Sequence, residues 1–282
     1  MDYIGVQAVG ADTAVTGVRN FDLNDILDCG QCFRWTRLGD RHYSGVAMGR
    51  SLEISQQGDR LLLRDTSPEE FRRVWHRYFD FERDYTALGA VLSRDAAMAE
   101  AIAFCPGMRV VRQEPWEALC SFIISQNNNI PRIKGIIARL CECFGQPLAG
   151  GAHAFPTPGR LAGLEPEELA VIRSGFRAKY ILDAARLVAG GELDLASLGG
   201  METAQARAQL LRIRGVGPKV AECALLYGLG RAECMPVDVW IARALEQLYP
   251  SGFPEQFSDC AGIGQQYLFH YMRNRERAAA KV

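Results

Sequence analysis

The segment "RIRGVGPKVAECALL", residues 212–226, decides how the chain is read. A Gly-rich turn runs into an apolar stretch, and Pro218 fits the first helical position, where a missing N–H leaves no broken bond. Lys219 follows in the first turn, although the positive end of a helix prefers anions. The residues before it are helical in pattern, so 202–213 and 218–229 are expected to form two helices joined by a turn carrying Gly215 and Gly217. Those glycines allow tight backbone geometry and expose amide N–H groups. With the start of the second helix they make an anion site, for which a nucleic-acid phosphate is one candidate. A dinucleotide fingerprint would need a preceding strand, and none is visible. On the hairpin alone, Lys219 reads equally as a phosphate contact and as a catalytic group.

The composition is globular, with 282 residues, 48% hydrophobic and 23% charged, enough for one large domain or two ordinary ones. A net charge of −1 argues against a tail that wraps nucleic acid nonspecifically. It leaves room for a local basic face, and basic residues gather in "RSGFRAKY" (173–180), "RIRGVGPK" (212–219) and "RNRER" (273–277). No apolar run of about 18 residues occurs, and the first 20 residues lack the pattern of a secretion signal. A cytoplasmic protein with no membrane partner is expected. Nine scattered cysteines suggest reduced, mostly buried thiols. Cys29-x-x-Cys32 has no second C-x-x-C to complete a zinc site, and no four-cysteine iron–sulfur run is present. Neither a metal nor another cofactor is expected.

Residues 13–65 read as short strands, "QCFRWTRL", "RHYSGVAM", "SLEISQ" and "RLLLRD", the later ones separated by Gly-Asp or Gly-Arg pairs. That pattern predicts an antiparallel sheet with one wet face. After Ser67-Pro68, an N-cap followed by a first-position proline, the pattern turns helical. Helices are expected near 94–104, 115–125, 132–144, 166–173, 177–189, 202–213, 218–229, 239–249 and 262–277. The predicted fold class is α+β: an antiparallel domain over residues 1–85, then a mostly α-helical domain over 86–282 with the hairpin at about 202–229.

"MPVDVWIARALEQLY" (235–249) supplies a second clue. Asp238 is placed to cap a helix, with Val239, Ala242, Leu245 and Tyr249 at helical spacing behind it. It follows Lys219 by 19 positions, across one helix and a loop, so two helix starts can converge on one cleft. A nucleophilic amine must be neutral, and a helix's positive end with partial burial favours that form, while the same field favours a carboxylate. An amine beside a carboxylate suits attack at a sugar C1′, where the carboxylate stabilises an oxocarbenium-like transition state. The resulting imine (Schiff base) permits strand cleavage by β-elimination.

The combination "GVGPK…PVD" resembles the helix-hairpin-helix base-excision glycosylases. The whole chain from about 20 to 275 is similar to the 8-oxoguanine DNA glycosylase/AP lyase family. The segments that carry the likeness are "LDCGQCFRW", "RQEPWEALCSFIISQNNNIPRI", "GFRAKY", "GVGPKVAEC", "PVDVW" and "GQQYLFHY". The resemblance implies a TBP-like N-terminal sheet and a monomer acting by base flipping on damaged double-stranded DNA. It implies excision of 8-oxoguanine, preferably opposite cytosine.

By the same resemblance Lys219 is the nucleophile and Asp238 its electrostatic partner. Cys223 and Phe269 would sandwich the flipped base, Pro236 would line the pocket, and Gln265 would read the Watson–Crick edge. The Gly30 carbonyl would accept N7–H of 8-oxoguanine, where guanine offers only a lone pair. Asn127 would fill the hole left by the base, Arg132 and Arg177 would meet the orphaned cytosine, and Phe176 would wedge into the stack. Gly215 and Gly217 would hold phosphate. The bland alternatives are a turn for Gly30, core packing for Cys223 and Phe269, and capping for the asparagines and Asp238. The chain departs from vertebrate-type members at Phe176, where they have Tyr, and at Trp240, where they have His. The second departure puts a phosphate contact in doubt, although an indole N–H can donate. A glycosylase for another lesion and a noncatalytic DNA-binding protein are the competing readings.

Overall fold

The computed structural model describes residues 2–279, with side chains described as far as Arg275; the end of the basic run 273–277 lies outside them. Six strands form one antiparallel sheet: β1 (Gly5–Val9), β2 (Asp12–Thr16), β3 (Trp35–Gly39), β4 (His42–Ala47), β5 (Arg50–Gln57) and β6 (Arg60–Leu63). Their order across the sheet is β1-β2-β6-β5-β4-β3. The turns follow from residues that accept positive φ. Met48 and Gly49 join β4 to β5 at φ 54° and 69°, a pairing that matches the twist of the flanking strands. Tyr43 faces Ile54 and Ile54 faces Leu63 across the ladders, giving one face a continuous apolar layer. On that layer lie Trp35, Phe71, Trp75 and Phe79, all buried.

Strand β1 was not expected, because the strand pattern begins only at residue 13. It is an edge strand whose Gln7, Ala8 and Val9 are exposed, so it lacks the alternation that burial imposes. "QCFRWTRL" is also only half strand. Residues 30–33 form a loop, and extended pairing starts at Trp35.

The helical part comprises α1 (Tyr85–Leu92), α2 (Ala96–Phe104), α3 (Pro115–Ser125), α4 (Ile130–Phe144), α5 (Arg177–Ala189), α6 (Thr203–Leu210), α7 (Pro218–Cys223), α8 (Val239–Leu248) and α9 (Ala261–Ala279), with shorter turns between. Helix α1 was not anticipated. Residues 168–172 form a 3₁₀ turn where a helix over 166–173 was expected. Helix α7 continues as a π turn over Ala224–Gly228, a widening that often marks functional sites. Among the described residues no helix is long and apolar enough to cross a membrane.

Two hydrophobic cores result, one under the sheet and one among the helices, and they meet around the 29–33 loop. Cys32 belongs to the sheet core, whereas Cys29 and Phe33 belong to the helical core. Each thiol is therefore a small apolar plug on its own side of the junction. Burial pushes Cys29 up to about 12, where a thiol is inert.

A buried ion pair crosses the same junction. Arg34, just before β3, reaches Glu117 of α3 at 3.2 Å. Burial raises Glu117 from 4.5 to about 7, against the opposing charge of Arg34. A carboxyl raised by folding stabilises the fold fully below its unfolded value, and that contribution is lost as pH rises through the folded value. Wild-type unfolding free energy should therefore fall relative to Glu117→Gln between about pH 4.5 and 7, by on the order of 1–3 kcal/mol, and its Tm should fall with it. Parallel Tm–pH curves for the two proteins would refute this assignment.

Candidate active site

The hairpin forms as its glycines dictate. Gly215 has φ 79°, and a Cβ there would lie 2.4 Å from the ring of Tyr180, so this position requires glycine twice over. Gly217 is different: its φ is −98°, and a Cβ would point into open space. Pro218 then starts α7, and Lys219 occupies the next position. The Lys219 Nζ donates to Ser125 Oγ at 3.1 Å and stands 5.1 Å from the centre of the Phe122 ring. Asp238 caps α8, its Oδ1 accepting the Trp240 and Ile241 amides at 3.0 and 2.9 Å.

Both helix starts open on one cavity of about 260 Å³, lined by Lys219, Asp238, Gly30, Trp240 and Phe269 among others. Its floor continues into a recess of about 40 Å³, where Lys219 and Asp238 meet Cys223, Pro236, Gln265 and Phe269. Gly30 also lines the recess; its φ is 92°, and a Cβ would press to 2.8 Å from Ile130 Cδ1. Burial pushes the Cys223 thiol up to about 11 although Lys219 pulls the other way, so it presents a neutral, polarizable wall. Every residue expected to touch a base lines this recess.

Of the residues expected to contact DNA, Trp240 stands in the cavity wall, whereas Asn127, Arg132, Phe176, Arg177, Gly215 and Gly217 do not line it. The three asparagines divide by role. Asn129 caps α4 by accepting the Arg132 amide at 3.0 Å, and Asn128 donates back to Ile124. Asn127 is exposed and left-handed, at φ 46°. Phe176 is 53% exposed, as a stacking wedge must be. Arg177, expected to meet the orphaned cytosine, is buried. It donates to the carbonyls of Gln126, Asn127 and Ser174, and its guanidinium lies 4.4 Å from the Phe176 ring centre. Burial and the nearby Arg132 charge hold Arg177 below its ordinary value.

Residues 15–119 match the family described as 8-oxoguanine DNA glycosylase, N-terminal domain, and residues 120–255 match the HhH-GPD superfamily of base excision DNA repair proteins. An Arabidopsis thaliana protein named N-glycosylase/DNA lyase OGG1 is 33% identical, over 85% of this chain and 74% of its own. The chain belongs to the 8-oxoguanine DNA glycosylase family. The Clostridium acetobutylicum 8-oxoguanine glycosylase/lyase, solved with double-stranded DNA carrying cytosine opposite 8-oxoguanine, superposes with a TM-score of 0.93. It shares 36% identity over 98% of this chain and all of its own. MBOgg1, solved with a low-affinity DNA ligand, also gives a TM-score of 0.93, at 42% identity over 98% of this chain and all of its own.

Several residues in or behind this family member's cavity were not legible in the sequence. Phe122 and Tyr227 stack at 4.9 Å and look like plain core by periodicity. Ser125 is the last residue of α3, with no signal that a lysine would reach it. Glu222 was hidden beside Cys223. It takes Arg207 from α6 on one oxygen and the Met235 amide at 3.0 Å on the other, which pins the Pro236–Asp238 loop to the hairpin.

The two hairpin glycines should separate folding from binding. Gly215→Ala is expected to lower stability by roughly 1–3 kcal/mol, because strain and a ring clash coincide. Gly217→Ala should melt like wild type yet bind duplex DNA several-fold more weakly, because its methyl stands where a phosphate would approach. Thermal melts and binding titrations test both, and unimpaired DNA binding by Gly217→Ala would count against a hairpin phosphate site.

Proposed function

We propose that the protein is a bifunctional DNA glycosylase/AP lyase that removes 8-oxoguanine, preferably opposite cytosine, from duplex DNA. The observation that carries this reading is the shared cavity: an amine and a carboxylate at two helix starts, opening on a recess walled by Cys223, Gln265 and Phe269. The family match and the activities for which its relatives are named support the lesion and the two activities.

The base swings out of the duplex and enters between Cys223 and Phe269, with its Watson–Crick edge toward Gln265 and N7–H toward the Gly30 carbonyl. Nζ of Lys219, as the free amine, attacks C1′ while the bond to N9 breaks and the base departs with the electron pair. Asp238 stabilises the positive charge that develops on the sugar. Opening of the sugar ring leaves an imine between Lys219 and C1′. Loss of a C2′ proton then expels the 3′ phosphate, which cuts the strand, and water releases the enzyme. Asn127 would enter the hole left by the base, and Arg132, with Arg177 once it leaves the loop carbonyls, would face the orphaned cytosine. Phe176 fills the stack as an apolar wedge, and Trp240 replaces a phosphate-binding His with an indole donor. The reading includes a monomer working on chromosomal DNA in the cytoplasm.

Borohydride added during reaction with an 8-oxoguanine:cytosine duplex should reduce the imine and trap a covalent complex. Lys219→Gln should give none. Asp238→Asn preserves the helix cap, since Asn caps about as well as Asp, and removes the charge. It should slow base excision by about 10²-fold or more. Absence of trapping with wild type, or equal trapping by Lys219→Gln, would overturn the mechanism. Duplexes carrying oxidised pyrimidines or alkylated purines test the lesion, and faster excision of either would replace 8-oxoguanine as the substrate.

A further inference from the structure

Two adjacent glutamines of α9 form the end of the recess. Gln265 and Gln266 are 3% and 1% exposed, and both line it. The Tyr227 hydroxyl donates to Gln266 Oε1 at 2.6 Å. Burial pushes the Tyr227 pKa well above its ordinary value, so the hydroxyl stays a donor. Tyr227 is itself fixed by stacking on Phe122 at 4.9 Å. With Oε1 committed to Tyr227, the Gln266 amide keeps one orientation and offers only its Nε2. That Nε2 is buried with no hydrogen-bond partner, and so is Oε1 of Gln265. One small recess therefore holds an unanswered donor beside an unanswered acceptor. Native proteins rarely leave buried polar groups unpaired unless a ligand supplies the partner.

The missing partner has a definite shape: donors for Gln265 next to an acceptor for Gln266. The Watson–Crick edge of 8-oxoguanine carries N1–H and the 2-amino group beside the keto oxygen O6. We propose that Gln266 is a specificity-determining residue whose Nε2 donates to O6 of the extruded base, with Tyr227 as the positioning residue that orients the amide. This inference rests on the reading that the recess takes 8-oxoguanine. It adds a criterion the Gly30 carbonyl does not supply. Gly30 would test the base at N7, whereas Gln266 tests C6 for a keto oxygen and opposes an amino group there, donor against donor. An adenine-type lesion oxidised at C8 passes the first test and fails the second.

Equilibrium binding tests this with duplexes whose lesion sugar carries a 2′-fluorine, which holds the base in place. Four bases are compared: 8-oxoguanine, its 6-thio counterpart, 8-oxohypoxanthine and guanine. Sulfur at position 6 keeps N1–H and the 2-amino group and replaces a strong acceptor by a weak one. Wild type should bind 8-oxoguanine about tenfold more tightly than the 6-thio base, the range of one buried hydrogen bond. Gln266→Met should lose about tenfold on 8-oxoguanine and almost nothing on the 6-thio base, because both changes remove the same contact. The penalty for lacking the 2-amino group, read with 8-oxohypoxanthine, should persist in that variant. Gln266→Glu keeps an acceptor for Tyr227 and turns an acceptor toward O6, so it should lose more than Met, and it decides the matter if the Met variant misfolds. Additive losses, or an equal loss on all four bases, would overturn the role of Gln266. A wild type that binds guanine as well as 8-oxoguanine would instead overturn the reading of the recess.

Discussion

The geometry of the cavity depends on a buried polar bridge between the two cores. Gln31, next to Gly30, is fully buried. Its Nε2 donates to the carbonyls of Ile26 and Arg109 at 2.9 and 2.7 Å, and its Oε1 accepts the Val111 amide at 2.9 Å. The Gln31 carbonyl accepts from Gln113 Nε2 at 2.7 Å, and the Gln113 amide donates to the Tyr227 carbonyl at 2.7 Å. The loop from the sheet side is thus tied, hydrogen bond by hydrogen bond, to the π turn that continues the hairpin helix. Each link is buried, so breaking one leaves an orphan worth about 1–3 kcal/mol. That penalty is why the loop keeps one conformation, with Gly30 at its inner edge.

The same logic explains why the chemistry sits on short helix starts while the tuning sits on neighbouring helices. Lys219 and Asp238 are each the beginning of a segment whose position is set elsewhere. Glu222 fastens the loop before Asp238 to α6 and α7 together, and Ser125 and Phe122 of α3 receive the lysine. A site of this kind tolerates little drift, because a displacement of about 1 Å in a reacting group can cost on the order of 10²-fold in rate. The rim is built differently. Phe176 and Asn127 are both exposed, one an aromatic ring and the other in the left-handed conformation that Asn tolerates. Arg177 links the two by donating to the Asn127 carbonyl while lying against the Phe176 ring.

What could be read from the sequence was what local chemistry dictates. Pro218 after two glycines, Asp238 before an amphipathic helix and the paired turns of β4–β6 all announce themselves within a few residues. What could not be read depends on long-range packing. Strand β1 pairs only with β2, at the sheet's edge, and carries little apolar pattern. The π turn at 224–228 widens a helix without any Gly or Pro signal at its start. Phe122, Ser125 and Tyr227 are ordinary core or helix-end residues until the cavity exists around them. The burial of Arg177 was illegible for the same reason: only the fold places three carbonyls around its guanidinium. Cys29 and Cys32, whose spacing suggested half a metal site, became intelligible once the two cores claimed one each.

Asp238 shows why a structural reading and a catalytic one need not compete. Its cap is real, since Oδ1 takes two amides that α8 would otherwise leave unpaired. That bond also decides which way the carboxylate faces. An aspartate held only by solvent would sample several rotamers, and its charge would be averaged over them. One held by its own helix start keeps its charge at a fixed point on the cavity wall. The cap needs one oxygen, so the second is not required by the fold. Lys219 has the reverse arrangement: no side chain caps its helix, so the first-turn amides stay available for an anion while the amine reaches inward to Ser125. The two helix starts are therefore complementary, one closed by its own carboxylate and one left open, and the cation that local electrostatics disfavours stands where the second helix has fixed a negative charge on the same cavity.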